Sequence, residues 1–417
     1  TLRNSSAASD VYKRQAKTRL TILIGLSVGG ALIAIWSGVK LTQQQDQLDL
    51  QPTNTVAPND AAQNVSSENL DSLLDEEPRP WLLAQSLPLK GPSGHIGERF
   101  ALGIDTVLRD LNNRGGIAGR PVKIWRIDDG YEPENTLRNS RLFAAEPEVL
   151  ALFGFFGTPT SKAALPIAKK AGLTLVAPLT GASSLRANGQ IGVLHFRASY
   201  AEEARRIVDH LVNDGFVRIA VAYQNDAYGK DVLASTLEAL KTHNLSAVST
   251  AALPRNSTET TQAADTLVKS KPDALIVISL SKTMASLVNN LHRNNSRPQL
   301  MTISPTGTKA LFRDLPQAAA FGVGVTQVVP FPWDARHPDV ASYQRLLRQQ
   351  QQDVEVEVDF DFYSLEGFMA AQWLVQAMET IAPEITRDRL MNELKRTTPE
   401  LHRSIDLIFL GSDPWEP

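Results

Sequence analysis

The 417-residue chain contains no cysteine. Disulfides, thiolate catalysis and cysteine-ligated metals are therefore excluded. Net charge is also nearly absent: 42 Lys and Arg against 45 Asp and Glu leave a formal −3. A protein that takes nucleic acid as its main partner concentrates positive charge, and no basic stretch with interleaved aromatics occurs here. Histidine is scarce, and the seven residues (His95, His195, His210, His243, His292, His337, His402) follow neither metal-ligand spacing nor an H-E-x-x-H pattern. Short motifs that hint at chemistry stay incomplete. Gly91-Pro92-Ser93-Gly94 is followed by His95 where a nucleophile elbow needs glycine. Gly322-Val323-Gly324 lacks its third glycine, and Gly307-Thr308-Lys309 is too short to cradle phosphate. No catalytic constellation remains, so the sequence predicts neither an enzyme nor a bound cofactor or metal. With 42% apolar and 21% charged residues, the composition is that of a globular protein with room for two or three domains.

One stretch lacks charge altogether: Leu20 to Val39, LTILIGLSVGGALIAIWSGV. Its length matches the roughly 20 residues that cross a bilayer. Lys17 and Arg19 precede it, and beyond Lys40 neither Lys nor Arg recurs until Arg79. That asymmetry keeps the front flank in the cytoplasm and sends the rest of the chain outside. Residues 16–41 are thus expected to form an uncleaved transmembrane anchor. A cleaved signal peptide is the alternative, although its apolar core is usually shorter and no clear A-x-A site follows. Residues 42–78, rich in Gln, Asn, Ser and Asp, read as a disordered acidic linker reaching roughly 30–35 Å. Ser5 to Gln15, SSAASDVYKRQ, resembles a translated sequencing adapter, so residues 1–15 are set aside from fold reasoning and the native start is expected upstream of Ala16.

From Arg79 onward, strands alternate with helices. Val149 to Phe156 is a continuous apolar run, consistent with a strand buried on both faces. Gly157 breaks it, Thr158 suits a helix N-cap, and Pro159 suits the first helical position. The helix ends at Ala171-Gly172, and Leu173 to Val176 forms the next strand. The same alternation predicts strands over Trp81–Leu89, Val122–Ile127, His195–Ala198, Arg218–Tyr223, Ala247–Leu253, Ala274–Ser279, Gln299–Ile303, Gly322–Val329 and Ile405–Leu410. It predicts helices over His95–Asn113, Pro133–Ala145, Ala201–Val212, Val232–Thr242, Glu259–Lys269, Lys282–Arg293, Asp339–Gln352 and, as a long amphipathic element, Tyr363–Ile381. Val354 to Phe362 alternates with acids as an extended segment. Such repeated units imply an α/β protein with doubly wound parallel sheets, and residues 79–417 exceed one comfortable domain, so two lobes are expected.

Several predicted strands end in small polar turns: Pro92-Ser93-Gly94, Thr158-Pro159-Thr160, Leu179-Thr180-Gly181, Asp226 with Tyr228, and Ser304 to Thr306. In open parallel sheets, ligands bind beyond the carboxyl ends of strands. A helix N-terminus such as that at Thr158 can take a carboxylate, although the same threonine can simply cap its helix. Together the turns suggest a cleft for a small polar ligand.

The order of motifs resembles a known family. Leu87-Pro88-Leu89-Lys90-Gly91-Pro92 ahead of Gly97, Leu111 to Pro121 (LNNRGGIAGRP) and Asp128-Asp129 look like the opening of extracytoplasmic solute-binding proteins of the leucine/isoleucine/valine type. Phe153-Gly154, Val176-Ala177-Pro178, Phe196-Arg197-Ala198 and Asp226-Ala227-Tyr228-Gly229 continue the match in order, over Trp81 to about Leu410. The resemblance implies a type I periplasmic binding fold with a three-segment hinge near Ala198, Pro330 and Thr398. Lobe 1 would then comprise 79–198 plus 330–398, and lobe 2 199–329 plus 399–417. It implies no catalysis, and a role delivering solute to ABC permease subunits, or alternatively as a membrane-anchored sensing domain with a signalling partner, on the periplasmic or extracytoplasmic face. By the same resemblance, Thr158 matches the hydroxyl that grips a ligand carboxylate and Tyr228 the cleft tyrosine of the second lobe. Ile96 stands where amino-acid binders often have tyrosine, Gly181 where they have a hydroxyl, and Leu280 where they have an aromatic. Ser304 or Thr306 replaces the acid that pairs with a ligand ammonium. These departures keep the carboxylate grip and leave an α-amino acid without its counter-charge. A small carboxylate- or amide-bearing solute is the expected ligand.

Overall fold

The computed structural model describes residues 70–72, 74–75, 78–186, 192–350, 359–397 and 405–411. The adapter-like start, the apolar stretch 20–39, most of the acidic linker, residues 351–358 and the crossing near Thr398 lie outside them. Among the described residues no helix is long and apolar enough to cross a membrane.

Two sheets organise the chain. The first comprises β1 (Trp81–Leu87), β2 (Val122–Asp128), β3 (Val149–Phe153), β4 (Leu175–Val176) and β5 (Val193–Leu194), all parallel in the order β2-β1-β3-β4-β5. The second comprises β6 (Ile219–Gln224), β7 (Thr250–Leu253), β8 (Ala274–Ile278), β9 (Gln299–Thr302), β10 (Gly324–Gln327) and β11 (Asp406–Phe409), in the order β11-β10-β9-β8-β6-β7. Its pairings are parallel except at the edge, where β11 runs antiparallel to β10. In both sheets the winding reverses beside the first strand: between β1 and β3, and between β6 and β8. Such reversal points open crevices at the carboxyl ends of strands.

The helices are α1 (Gly94–Asn113), α2 (Pro133–Ala145), α3 (Thr158–Lys170), α4 (Tyr200–Asn213), α5 (Ala227–Thr242), α6 (Thr261–Ser270), α7 (Ser281–Arg293), α8 (Thr308–Asp314), α9 (Gln317–Ala320), α10 (Pro338–Gln350), α11 (Phe362–Ile381) and α12 (Arg387–Arg396). Helix α1 buries Ile96, Phe100, Ile104, Val107, Leu108 and Leu111, the face that its periodicity predicts. Helix α4 begins at Tyr200 because Ser199 and Glu202 form a reciprocal capping box.

Several boundaries differ from the sequence reading. Regular pairing in β3 stops at Phe153, where Gly154 turns left-handed (φ 67°), and resumes as an isolated parallel bridge between Phe156 and Leu179. The segment His195 to Ala198 is not a strand: β5 is Val193–Leu194, and the chain then leaves the sheet. Helix α5 starts at Ala227 rather than Val232, since the Asp226 carboxylate accepts from the amides of Tyr228 and Gly229. Helix α11 is buried on almost every side rather than amphipathic, because it packs against both α1 and α12. A Cβ on Gly103 would lie 1.8 Å from the Ser364 carbonyl oxygen, and one on Gly367 2.1 Å from that of Phe100, so α1 and α11 cross in backbone contact. Helices α8, α9 and α12 have no counterpart in the sequence reading.

Candidate functional site

The chain passes from the first sheet to the second between β5 and β6 and returns between β10 and α10, bringing the carboxyl ends of both sheets to one cleft. A cavity of about 310 Å³ joins their reversal points. Ser93 and His95 reach it from beyond β1, Gln224 from the end of β6, and Leu280, Ser281 and Lys282 from beyond β8. A second cavity of about 300 Å³ shares His95 and is lined by Arg99, Ser304, Phe312, Phe362 and Tyr363. Volumes of this size suit a small molecule.

At the start of α3, Gly157 (φ 89°) occupies the cap position and Thr158 is the first helical residue, with Pro159 next, so Thr158 is not the N-cap. Its hydroxyl is free of capping and lies 2.7 Å from that of Thr180, both fully buried. Thr180 in turn hydrogen-bonds the buried Tyr200 phenol. The Tyr200 ring meets Tyr228 edge-on at 5.5 Å, and the Tyr228 hydroxyl, inside the protein, has no hydrogen-bond partner among the described residues. Buried polar atoms of this kind call for a partner. Thr158, Thr180 and Tyr228 therefore come together, and they bridge the two sheets.

Other residues singled out by the sequence have their hydrogen-bonding capacity spent within the protein. The Thr160 hydroxyl donates back to the Phe156 and Gly157 carbonyls. Leu179 and Ile96 are core residues. Gly181 has no room for the hydroxyl residue of amino-acid binders, because a Cβ would sit 2.7 Å from Tyr200. Thr306 bonds the Thr302 hydroxyl at 2.5 Å and the Ser279 carbonyl. Asp226 caps α5 and accepts from Gln224, and burial raises its pKa. Ser93 donates to Asn256 at 3.3 Å.

Ser304 belongs to a buried ionic cluster that sequence reasoning missed. Its amide and hydroxyl donate to Glu203 at 2.9 and 3.0 Å, Thr326 donates to the same carboxylate, and Arg197 donates to the Ser304 hydroxyl. Arg197 is 2% exposed and has Glu366 at 3.4 Å and Glu203 at 3.9 Å. Burial alone would lower the Arg197 pKa; Glu366, then Tyr200 and Glu203, outweigh it and raise it. Burial pushes the Glu366 carboxyl up. The cluster ties the segment between β5 and α4 to α4, α11 and the second sheet. In the sequence, the Phe196-Arg197-Ala198 motif and the candidate Ser304 touched it, and neither pointed to its glutamates.

A second group spans the cleft. Arg255, after β7, donates to the Tyr131 carbonyl at 2.8 Å and to Glu132 at 2.6 Å, and Asn256 donates to Glu132 at 2.9 Å. Gln224 reaches the Tyr131 hydroxyl at 3.3 Å. Among the described residues no cluster of His, Asp or Glu is arranged to hold a metal.

The fold sets two sheets about a cleft whose cavities have the size of a small molecule. A family model described as "Periplasmic binding protein" matches residues 83–404, and the chain belongs to that family, in its type I leucine/isoleucine/valine-binding group. Members of the family bind ligand and do not turn it over. A possible leucine/isoleucine/valine-binding protein from Rhodopirellula baltica is 29% identical, with a TM-score of 0.73 over 80% of this chain and 95% of that one. A substrate-binding periplasmic protein from Ralstonia solanacearum is 28% identical, with a TM-score of 0.73 over 79% and 98%. The Leu/Ile/Val-binding protein homolog 7 of Brucella melitensis is 22% identical over 256 residues, 58% of this chain and 63% of its own length. An amino acid binding protein of Pseudomonas aeruginosa matches over 36% of this chain and 40% of its own. The chain thus spans less than two thirds of these two curated relatives.

Proposed function

We propose that the protein is the solute-binding component of an ABC uptake system, enclosing a small carboxylate- or amide-bearing solute between its lobes. The apolar stretch 20–39 would hold it at the extracytoplasmic face of the membrane, with residues 42–78 as tether and permease subunits as partners. The lobes would divide as 79–198 plus 330–398 and 199–329 plus 399–417. The observation that carries the reading is the buried Thr158–Thr180–Tyr200–Tyr228 array, which ends in a phenol with no hydrogen-bond partner among the described residues. Because the Thr158 and Thr180 hydroxyls bond each other, the pair keeps one hydroxyl proton for a carboxylate, and the N-terminus of α3 adds partial positive charge there. A solved relative from Thermus thermophilus carries bound valine; at 14% identity and a TM-score of 0.66 it supports the fold only.

A thermal-shift screen of the full-length chain against amino acids, amides, ureas and small carboxylates tests the proposal. A specific ligand raises the melting temperature by mass action. Thr158→Ala and Tyr228→Phe should each weaken the hit by about tenfold, the cost of one buried hydrogen bond, without unfolding the protein. Unchanged affinity in both variants would remove this site.

A further inference from the structure

Resting on the solute-binding reading, we infer that His95 reads the second pole of the ligand, accepting a hydrogen bond at Nε2 from a neutral N–H or O–H donor such as a carboxamide. The placement is specific. His95 lies in the first turn of α1 and lines both cavities of the cleft, so its ring is within reach of a ligand in either. Its ring hydrogen-bonds the Pro92 carbonyl, while Nε2 is buried without a hydrogen-bond partner among the described residues. The bonded nitrogen is therefore Nδ1, which carries the proton, and Nε2 presents a bare lone pair.

The surroundings keep the ring neutral. Burial, then Arg313 from α8 and Lys282 from α7, lower the His95 pKa below its ordinary 6.5; Asp314 and the Pro92 bond oppose them. A neutral Nε2 accepts from an amide or hydroxyl and gives nothing to a second carboxylate. The carboxylates near the ring are already engaged, Asp359 and Asp361 with Arg99, Asp359 also with Lys309, and Asp314 with Arg313 and Ser281, so a ligand ammonium would have to compete with these partners for its counter-charge beside Arg313 and Lys282. The polar cavity continues the preference for neutral groups, with Gln224, Asn256, Ser281 and Thr283 around it.

Three probes share a terminal carboxylate and differ only at the other end: glutaramate (amide), glutarate (carboxylate) and 5-aminopentanoate (ammonium). Titration calorimetry on the full-length chain should rank glutaramate tightest at about pH 8. His95→Phe should weaken glutaramate about tenfold, while His95→Gln, which keeps an acceptor, should recover part of the loss. Wild-type affinity for glutaramate should hold steady above the ordinary histidine value of 6.5 and fall only at lower pH, as the ring protonates; the His95→Phe variant should lose that slope. Tightest binding of 5-aminopentanoate, or an equal affinity and pH slope in His95→Phe, overturns the assignment. If none of the three binds while an amino acid scores in the thermal screen, the role of His95 falls and the solute-binding reading stands. If nothing binds in either experiment, both fall.

Discussion

Asp129 shows how one buried group decides a pH response. It lies fully buried at the end of β2, accepting from the hydroxyls of Ser86 and Thr136 and from the Tyr131 amide. Burial outweighs these bonds and raises its pKa from 3.8 to about 6. An acid whose folded pKa lies above its unfolded value binds its proton more tightly when folded. Its contribution to stability is fully present below about pH 4 and is lost as pH rises through about 6; the gap corresponds to about 3 kcal/mol. Denaturant unfolding between about pH 4 and 7 should therefore show a falling component that Asp129→Asn flattens. An identical pH profile in that variant would remove the assignment. The same competition between desolvation and hydrogen bonding leaves Tyr228 and His95 with open valences: the groups around them stop short of satisfying them.

At the scale of elements, the α1–α11 crossing holds the first lobe together. Gly103 and Gly367 let two helix backbones touch, and Phe100, Ile104, Leu365 and Phe368 fill the space around them. Because a Cβ on Gly103 would lie 1.8 Å from a backbone carbonyl, the clash cannot be relieved by rotating a side chain. Gly103→Ala should push the helices apart and destabilise the lobe by about 1–3 kcal/mol, read as a lower denaturation midpoint with an unchanged slope. Since α1 also carries Ser93 and His95 at its start, weaker solute binding should accompany the loss.

For the whole molecule, a few polar groups tie the two sheets together across the cleft. Arg255, Asn256 and Glu132 form a clasp between the segments after β7 and β2, with the ion pair only partly shielded from solvent. An exposed pair of this kind is worth up to about 1 kcal/mol and is screened by salt. Arg255→Ala should loosen the closed arrangement: small-angle scattering should show a larger radius of gyration without ligand, and bound solute should leave a few times faster. No change in either measurement would reduce the clasp to a surface contact. Arg197 and its glutamates form a second, fully buried tie. There a single truncation strands a buried charge, so those residues resist substitution more strongly than the clasp does.

By itself the sequence determined the alternation of strands and helices, the parallel winding, most helix starts and the family. It also marked the turns from which the cleft is built. These features are local: apolar periodicity, glycine breaks and caps such as Ser199 with Glu202 act over a few residues. What only the tertiary structure decided is which polar atoms remain free. Ser304, a candidate in the sequence, is taken by Glu203, 101 residues away, and Thr306 by Ser279 and Thr302. Thr158 escapes its predicted capping duty because Gly157 takes that position. His95, one of seven scattered histidines, becomes the shared wall of two cavities. The antiparallel β11 and the all-round burial of α11 follow from neighbours distant in sequence. Hydrogen bonds and burial are allocated by packing between distant segments, and no window along the chain holds that information.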